Sequence, residues 1–223
     1  MAKLRMGIGI GSLSGRTGNA VFASTPGGVV LRQRPVYTPH PTSAQETMGR
    51  YLAIANRAWR DLSAAQAEAW RGYARRNAFR DPRTGLMRVP AAPHLFVGLS
   101  VKYLQVHGGF TAPLDPPEGV FLGDVGGVAL AMGGPRLRVT ADAANREGVL
   151  TELLTQRLSG RNNSTRPRSY KSQGFRAFTG PGDSALVGLS PGTWAAAVRF
   201  VEASSGRATG LIEVGRADIT TWE

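Results

Sequence analysis

Gly15-Arg16-Thr17-Gly18-Asn19-Ala20-Val21-Phe22 and, beyond a turn, Val29-Val30-Leu31-Arg32-Gln33-Arg34-Pro35 are the most patterned residues near the start of this chain. Residues 20–23 and 29–31 have strand composition, and Thr25-Pro26-Gly27-Gly28 between them has turn chemistry, so residues 15–35 read as a β-hairpin. Pro35, Pro39 and Pro41 then dictate an extended connector, because proline restricts both its own φ and the residue before it. Ser43-Ala44-Gln45-Glu46 fits a capping box in which Ser43 accepts a backbone N–H and Glu46 reaches back. Met48, Leu52, Ala55 and Trp59 follow on one helical face. Ser63-Ala64-Ala65-Gln66 is a second capping box, Ser63 with Gln66, opening a helix with Ala69, Trp70 and Tyr73 on an apolar side and Arg71, Arg75 and Arg76 on a basic one. The close spacing predicts an antiparallel helical hairpin with Trp59 and Trp70 at its packing centre.

Farther along, Leu95-Phe96-Val97-Gly98-Leu99-Ser100-Val101-Lys102-Tyr103-Leu104-Gln105-Val106 is a third helix candidate ended by Gly108-Gly109, although the β-branched content of 97–106 also fits a strand. Pro113-Leu114-Asp115-Pro116-Pro117-Glu118-Gly119 is stiff and unsuited to either regular element, and reads as a domain boundary. Beyond it, short runs alternate with the strand period: Leu137/Val139, Leu150/Glu152/Leu154, Phe175/Ala177, Trp194/Ala196/Val198/Phe200 and Ile212/Val214 against Leu211/Glu213. The expected fold is therefore α+β: a basic domain over residues 1–113 built of a β-hairpin and a helical hairpin, a linker at 114–119, and an antiparallel β-sandwich of immunoglobulin or fibronectin III type at 120–223.

Charge is uneven. Residues 1–90 hold 14 of the 27 Lys and Arg but only 4 of the 15 Asp and Glu, so that region carries most of the net charge of +12. All but Lys3, Lys102 and Lys171 of the cations are arginine, which either suits bidentate contacts with phosphate and carboxylate or follows from genomic codon preference. Arg16, Arg32, Arg34, Arg71, Arg75 and Arg76 are the candidate interface residues. Their spread over several elements argues against sequence-specific base readout and leaves non-specific phosphate contact open.

Enzymatic chemistry finds little footing. Gly7, Gly9, Gly11, Gly15 and Gly18 match neither the Walker nor the dinucleotide spacing. Gly188-Leu189-Ser190-Pro191-Gly192 matches the hydrolase elbow in letters, but strand-like residues follow it where a helix is required. His40, His94 and His107 are scattered, and the absence of cysteine removes thiolate metal sites. Neither catalytic residues nor a cofactor are expected. No apolar run reaches the roughly 18 residues of a membrane span, and the charged, glycine-broken residues 1–10 read as an arm rather than a leader.

Gly15-Arg16-Thr17-Gly18-Asn19-Ala20-Val21-Phe22, Arg32-Gln33-Arg34-Pro35, Thr42 with Ala44-Gln45, and Trp59 through Leu62-Ser63-Ala64-Ala65-Gln66 to Ala69-Trp70 together resemble a group of phage and prophage-borne bacterial proteins. His94-Leu95-Phe96 and Leu114-Asp115-Pro116-Pro117 fit the later part of that pattern, which covers roughly residues 9–118. Residues 127–217 are more loosely similar to fibronectin type III domains. There, Leu189-Ser190-Pro191-Gly192-Thr193-Trp194 stands where those domains carry a tyrosine-corner turn, with Trp194 replacing the tyrosine one residue early. The resemblance implies a virion structural protein with no catalytic residues. The expected form is a capsid-associated accessory, cement or decoration protein in a multi-copy assembly with capsid or tail subunits. A tail or head–tail connector component and a non-specific nucleic-acid-binding protein are the alternatives.

Overall fold

The structure is a computed structural model that describes residues 2–4, 14–25, 28–34, 41–82, 84–124, 128–133, 136–160 and 163–219. Arg5, Gly7, Gly9, Gly11, Pro26, Gly27, Pro35, Pro39, His40 and Arg83 lie outside the described residues. The chain divides into two compact units, Met1–Glu46 and Thr47–Glu223.

The first unit is a four-stranded antiparallel sheet. It comprises β1 (Ala2–Leu4), β2 (Gly15–Thr17), β3 (Ala20–Thr25) and β4 (Gly28–Gln33), in the order β1-β4-β3-β2. The expected hairpin is its centre, with Phe22 opposite Leu31 and Thr25 opposite Gly28. Sequence reading did not foresee the two flanking strands. β2 folds back on β3 through Gly18-Asn19, where Gly18 takes φ 56°, as the first position of a tight two-residue hairpin loop requires.

Three helices open the remainder: α1 (Ser43–Arg60), α2 (Ala64–Arg76) and α3 (Ala92–His107). The first cap corrects the sequence reading. Thr42, not Ser43, closes the box: its Oγ1 accepts from the Gln45 N–H, and Gln45 Oε1 accepts from the Thr42 N–H at 2.8 Å. Ser43 and Glu46 lie inside the first turn, exposed. Both quartets fit the capping pattern, and the one nearer the prolines holds the cap. The buried face of α1 is correspondingly set by Tyr51 and Ala55, while Leu52 is exposed. The second box forms as read, Ser63 Oγ accepting from the Gln66 N–H at 3.2 Å and Gln66 Oε1 from the Ser63 N–H at 3.1 Å.

Residues 95–106 are helical, excluding the strand alternative, and Gly108 ends α3 in the left-handed conformation at φ 63°. Phe96 on that helix, fully buried, joins Trp70 and Trp59 at the packing centre. Trp70 meets it edge-on with ring centroids 5.1 Å apart, and Trp59 reaches it at 5.5 Å. Edge-to-face rings add to the burial of their apolar area. The helical arrangement is thus a trio closed on α3 rather than a hairpin closed on itself.

Seven further strands follow: β7 (Val128–Gly133), β8 (Arg136–Ala141), β9 (Val149–Leu158), β10 (Lys171–Arg176), β11 (Ser184–Gly188), β12 (Gly192–Glu202) and β13 (Ile212–Ile219). They form two antiparallel sheets, β10-β9-β12-β13 and β11-β8-β7. Leu137, Val139 and Val187 from one sheet and Leu153, Val198 and Ile219 from the other join a single apolar cluster. The alternating positions of the four-stranded sheet are buried as well, among them Glu152, Leu154, Ala195, Ala197 and Val201. β9 and β12 are thus buried on both faces rather than on the one face that a simple alternation implies.

Glu152 is the key to this second face. Its carboxylate accepts from Lys102 Nζ of α3 at 3.0 and 3.1 Å and from Arg199 Nε of β12. Burial pushes its carboxyl up, but the Arg199 hydrogen bond, Lys102 and Ser172 outweigh that and hold it below the ordinary range. Burial in turn draws the Lys102 ammonium down against the opposing pull of Glu152. Two other contacts seat the helix: His107 Nε2 lies 2.8 Å from the Ala203 carbonyl, and Gly206, at φ 75°, fits so tightly that a Cβ there would collide with the Leu99 carbonyl.

The proline-rich segment at 114–119 falls within the compact unit Thr47–Glu223. Trp70 Nε1 donates to the Leu114 carbonyl at 2.8 Å, Gln66 Nε2 to Asp115 at 3.3 Å, and Arg207 Nη1 to the Gly119 carbonyl at 2.8 Å. A stiff segment can be a strap as readily as a spacer when both of its neighbours offer donors to its carbonyls.

Replacing Phe96 with Ala is expected to cost about 3–5 kcal/mol in denaturant unfolding, more than Leu52→Ala at a side chain that is 41% exposed. Glu152→Gln should cost about 3 kcal/mol by leaving two cations without their carboxylate. Because the Glu152 carboxyl is depressed in the folded state, its contribution is present above the unfolded value of about 4.3 and is lost as pH falls through the folded one. Glu152→Gln should therefore flatten the acid limb of the stability–pH curve, measured by unfolding at a series of pH values.

Candidate docking surface

The sheet register collects arginines that are far apart in the chain. Arg16 pairs with Val21, and Val21 with Arg32, so the three side chains stand on one face in a row across β2, β3 and β4. Two strand spacings separate Arg16 from Arg32, about 10 Å. Arg34, two residues beyond Arg32, falls on the same face by alternation, and its N–H donates to the Asn19 carbonyl at 2.8 Å. All three arginines are exposed. The opposite face carries Phe22, Val29 and Leu31, with Val29 buried. One side of the sheet thus carries the arginines beside Val21, Ala23 and Val30, and the other carries Phe22, Val29 and Leu31.

The α2 arginines are organised differently. Arg71 and Arg75 both bond to Glu68, at 3.0 and 2.9 Å, and all three side chains are solvated. The hydrogen bond from Arg75, then that from Arg71, holds the Glu68 carboxyl below its ordinary range. Such exposed pairs add little to stability, and they leave α2 with one acid among Arg71, Arg75 and Arg76. Arg76 borders an open groove of about 660 Å³ with Tyr73, Asn77, Leu95, Phe121 and Arg207.

Ser190 lies between β11 and β12, so a strand follows it and the elbow geometry is not met. Its carbonyl accepts from Trp194 Nε1 at 2.8 Å, so the indole makes a contact of the kind a tyrosine corner provides. His94 and His107 stand near opposite ends of α3. Among the described residues, no three His, Cys, Asp or Glu gather as a metal site would need, and no helix is long and apolar enough to cross a membrane. A smaller cavity of about 220 Å³ beneath the proline-rich strap is bordered by Glu202 and Arg207. There, Arg207 grips Glu202 through Nε and Nη2, each at 2.8 Å. That grip, stronger than the opposing effect of burial, holds the carboxyl low and acceptor-only.

Sequence reading passed over one exposed element. β5 (Phe79–Arg80) and β6 (Met87–Arg88) form a short antiparallel ribbon between α2 and α3. Phe-Arg and Met-Arg around a Gly-containing turn were the available signal, masked by Pro82 and Pro90, which read as breaks.

Charge reversal of Arg32 to Glu should leave the melting temperature within about a degree, since the side chain is exposed, while lowering retention on a sulfonate cation exchanger. Comparison of the chain with protein-family models, with curated proteins and with solved structures returned no match.

Proposed function

We propose that this protein is a non-enzymatic structural component of a bacteriophage particle, a capsid-associated accessory, cement or decoration protein that docks through its basic N-terminal unit. The observation that carries the reading is the row of Arg16, Arg32 and Arg34 on one face of a compact sheet. Some of the residues that carry the phage-protein resemblance build this sheet: Gly15 to Phe22 supplies β2, its loop and the start of β3, and Arg32-Gln33 the end of β4, with Arg34 following it. Three arginines presented together fit carboxylates on neighbouring shell subunits, and repetition over a symmetric particle multiplies contacts that are individually weak.

The paired sheets support the finer fold reading of a fibronectin III-like sandwich. The first, second and fifth strands, β7, β8 and β11, share one sheet, while the third, fourth, sixth and seventh share the other. This is the immunoglobulin-type division with the fourth strand moved across to the third. The Trp194 indole then takes the corner role of the missing tyrosine. Such a domain would project from, or bridge, the docked base.

The same arginine row favours phosphate contact as a second reading. It predicts binding to duplex DNA that falls steeply with salt, whereas a carboxylate-bearing shell predicts retention on particles and no shift of DNA at low salt. Quantitative mass analysis of purified particles tests the proposal. Wild-type protein should be present in many copies, and Arg16→Glu/Arg32→Glu/Arg34→Glu should weaken attachment roughly tenfold or more in Kd, a loss of about 1.4 kcal/mol, read as a lowered copy number when the protein is limiting. Particles without the wild-type protein would overturn the reading.

A further inference from the structure

We infer that the β5–β6 ribbon is a second docking element, one that inserts into an apolar, acid-rimmed pocket of another protein. Phe79, Leu86, Met87 and Val89 are 49, 68, 67 and 57% exposed within one short turn of chain. Scattered single apolar side chains on a surface need no explanation, but four large ones exposed between residues 79 and 89 of one ribbon mark a candidate interaction site. The register adds direction. Phe79 pairs with Arg88 and Arg80 with Met87, so each face of the ribbon carries one large apolar side chain and one arginine. An element that is adhesive on both faces is suited to a cleft rather than to a flat surface.

The ribbon is held in shape for this. A lone two-stranded ribbon is at best marginal in water, yet this one is tied internally and at its base. The Asp81 N–H donates to the Leu86 carbonyl at 2.9 Å, the Gly85 N–H to the Asp81 carbonyl at 2.7 Å, and Arg80 Nε to the Gly85 carbonyl at 2.8 Å. Gly85 sits at φ 69°, which a side chain would resist. The buried Asp81 carboxylate accepts from Arg88 at 3.0 Å, and Asn77 Nδ2 donates to the Tyr73 carbonyl at 2.9 Å where the ribbon leaves α2. Pre-organisation of this kind lowers the ordering cost of binding.

Charge selects the occupant. Arg80 and Arg88 stand on the ribbon and Arg75 and Arg76 end the preceding helix, while Asp81, the acid between the strands, is turned inward onto Arg88. A second copy, with the same cations and a net charge of +12, would be repelled. Nucleic acid would satisfy the arginines and could stack a base on Phe79, but Leu86, Met87 and Val89, three of the four exposed apolar side chains, offer no ring for a base to stack on. A protein pocket with an apolar floor and a rim of Asp or Glu satisfies both, and Phe, Met and Arg are residue types that interfaces favour.

The test is site-specific photo-crosslinking of the full-length chain in the cells that make it. A benzophenone amino acid replaces Met87, with Leu186, an exposed residue of β11, as the control position. The expected result is one protein adduct at position 87 that is missing at 186. Once identified by mass spectrometry and purified, that protein should bind the wild-type chain, and Leu86→Ser/Met87→Ser should weaken the Kd at least roughly tenfold with an unchanged melting temperature. An adduct to a virion subunit would support the proposed function as well. An adduct to any other acidic-surfaced protein would support the ribbon while counting against the virion reading. No adduct above the control, an adduct to a second copy or to nucleic acid, or an unchanged Kd would overturn the inference.

Discussion

One buried carboxylate organises the larger part of this protein. Glu152 lies in the middle of β9 with no solvent contact, and its charge is tolerable because Lys102 and Arg199 meet it from a helix and from the neighbouring strand. Buried ion pairs contribute little net stability, but removing one member is costly. The sheet therefore requires α3 in place, and α3 requires the sheet. The rest follows from that dependence. Phe96, on the same helix as Lys102, receives Trp59 and Trp70 and so fixes α1 and α2. Trp70 and Arg207 then hold the proline-rich strap between the helices and the β12–β13 turn. Residues 47–223 form one compact unit, linked by this chain of contacts.

What could be read from the chain alone was local. The central hairpin of the first sheet, the Ser63–Gln66 cap, the glycine end of α3 and most of the later strands follow from turn chemistry, capping pattern and period. What escaped reading was set by tertiary contact. Thr42 and Ser43 compete for the same cap on equal pattern grounds, and only the fold decides. Leu52 and Tyr51 are adjacent in sequence but about 100° apart around the helix, and the packing of α1 buries the tyrosine. The proline-rich segment looked like a spacer because its partners, Trp70 and Arg207, are distant in sequence. A signal for the ion triad was nevertheless present: Lys102 is the lone cation of an apolar helix, and Glu152 the lone acid of an apolar strand. Opposite charges stranded in two apolar runs have few ways to be satisfied except by each other.

On the proposed reading, the two units divide the work of attachment. The small sheet offers a flat row of arginines, suited to charge complementarity that speeds encounter and sets orientation. The ribbon between α2 and α3 offers apolar anchors on a rigid base, which governs how long a complex persists. The remaining cations on α2 lie near the ribbon in sequence and are partly neutralised by Glu68. The candidate interface residues therefore differ in what they can give a partner: Arg16, Arg32 and Arg34 act as a row, and Arg71 and Arg75 act through a shared acid.

Native-state amide hydrogen exchange tests this account most directly, because it reads which segments open together. The account predicts that α3, β9 and β12 share one opening free energy close to that of global unfolding, with the first sheet exchanging as a separate unit. Helices that lose protection well before β9 and β12 would contradict it, since the Glu152 triad would then not bind helix and sheet into one body.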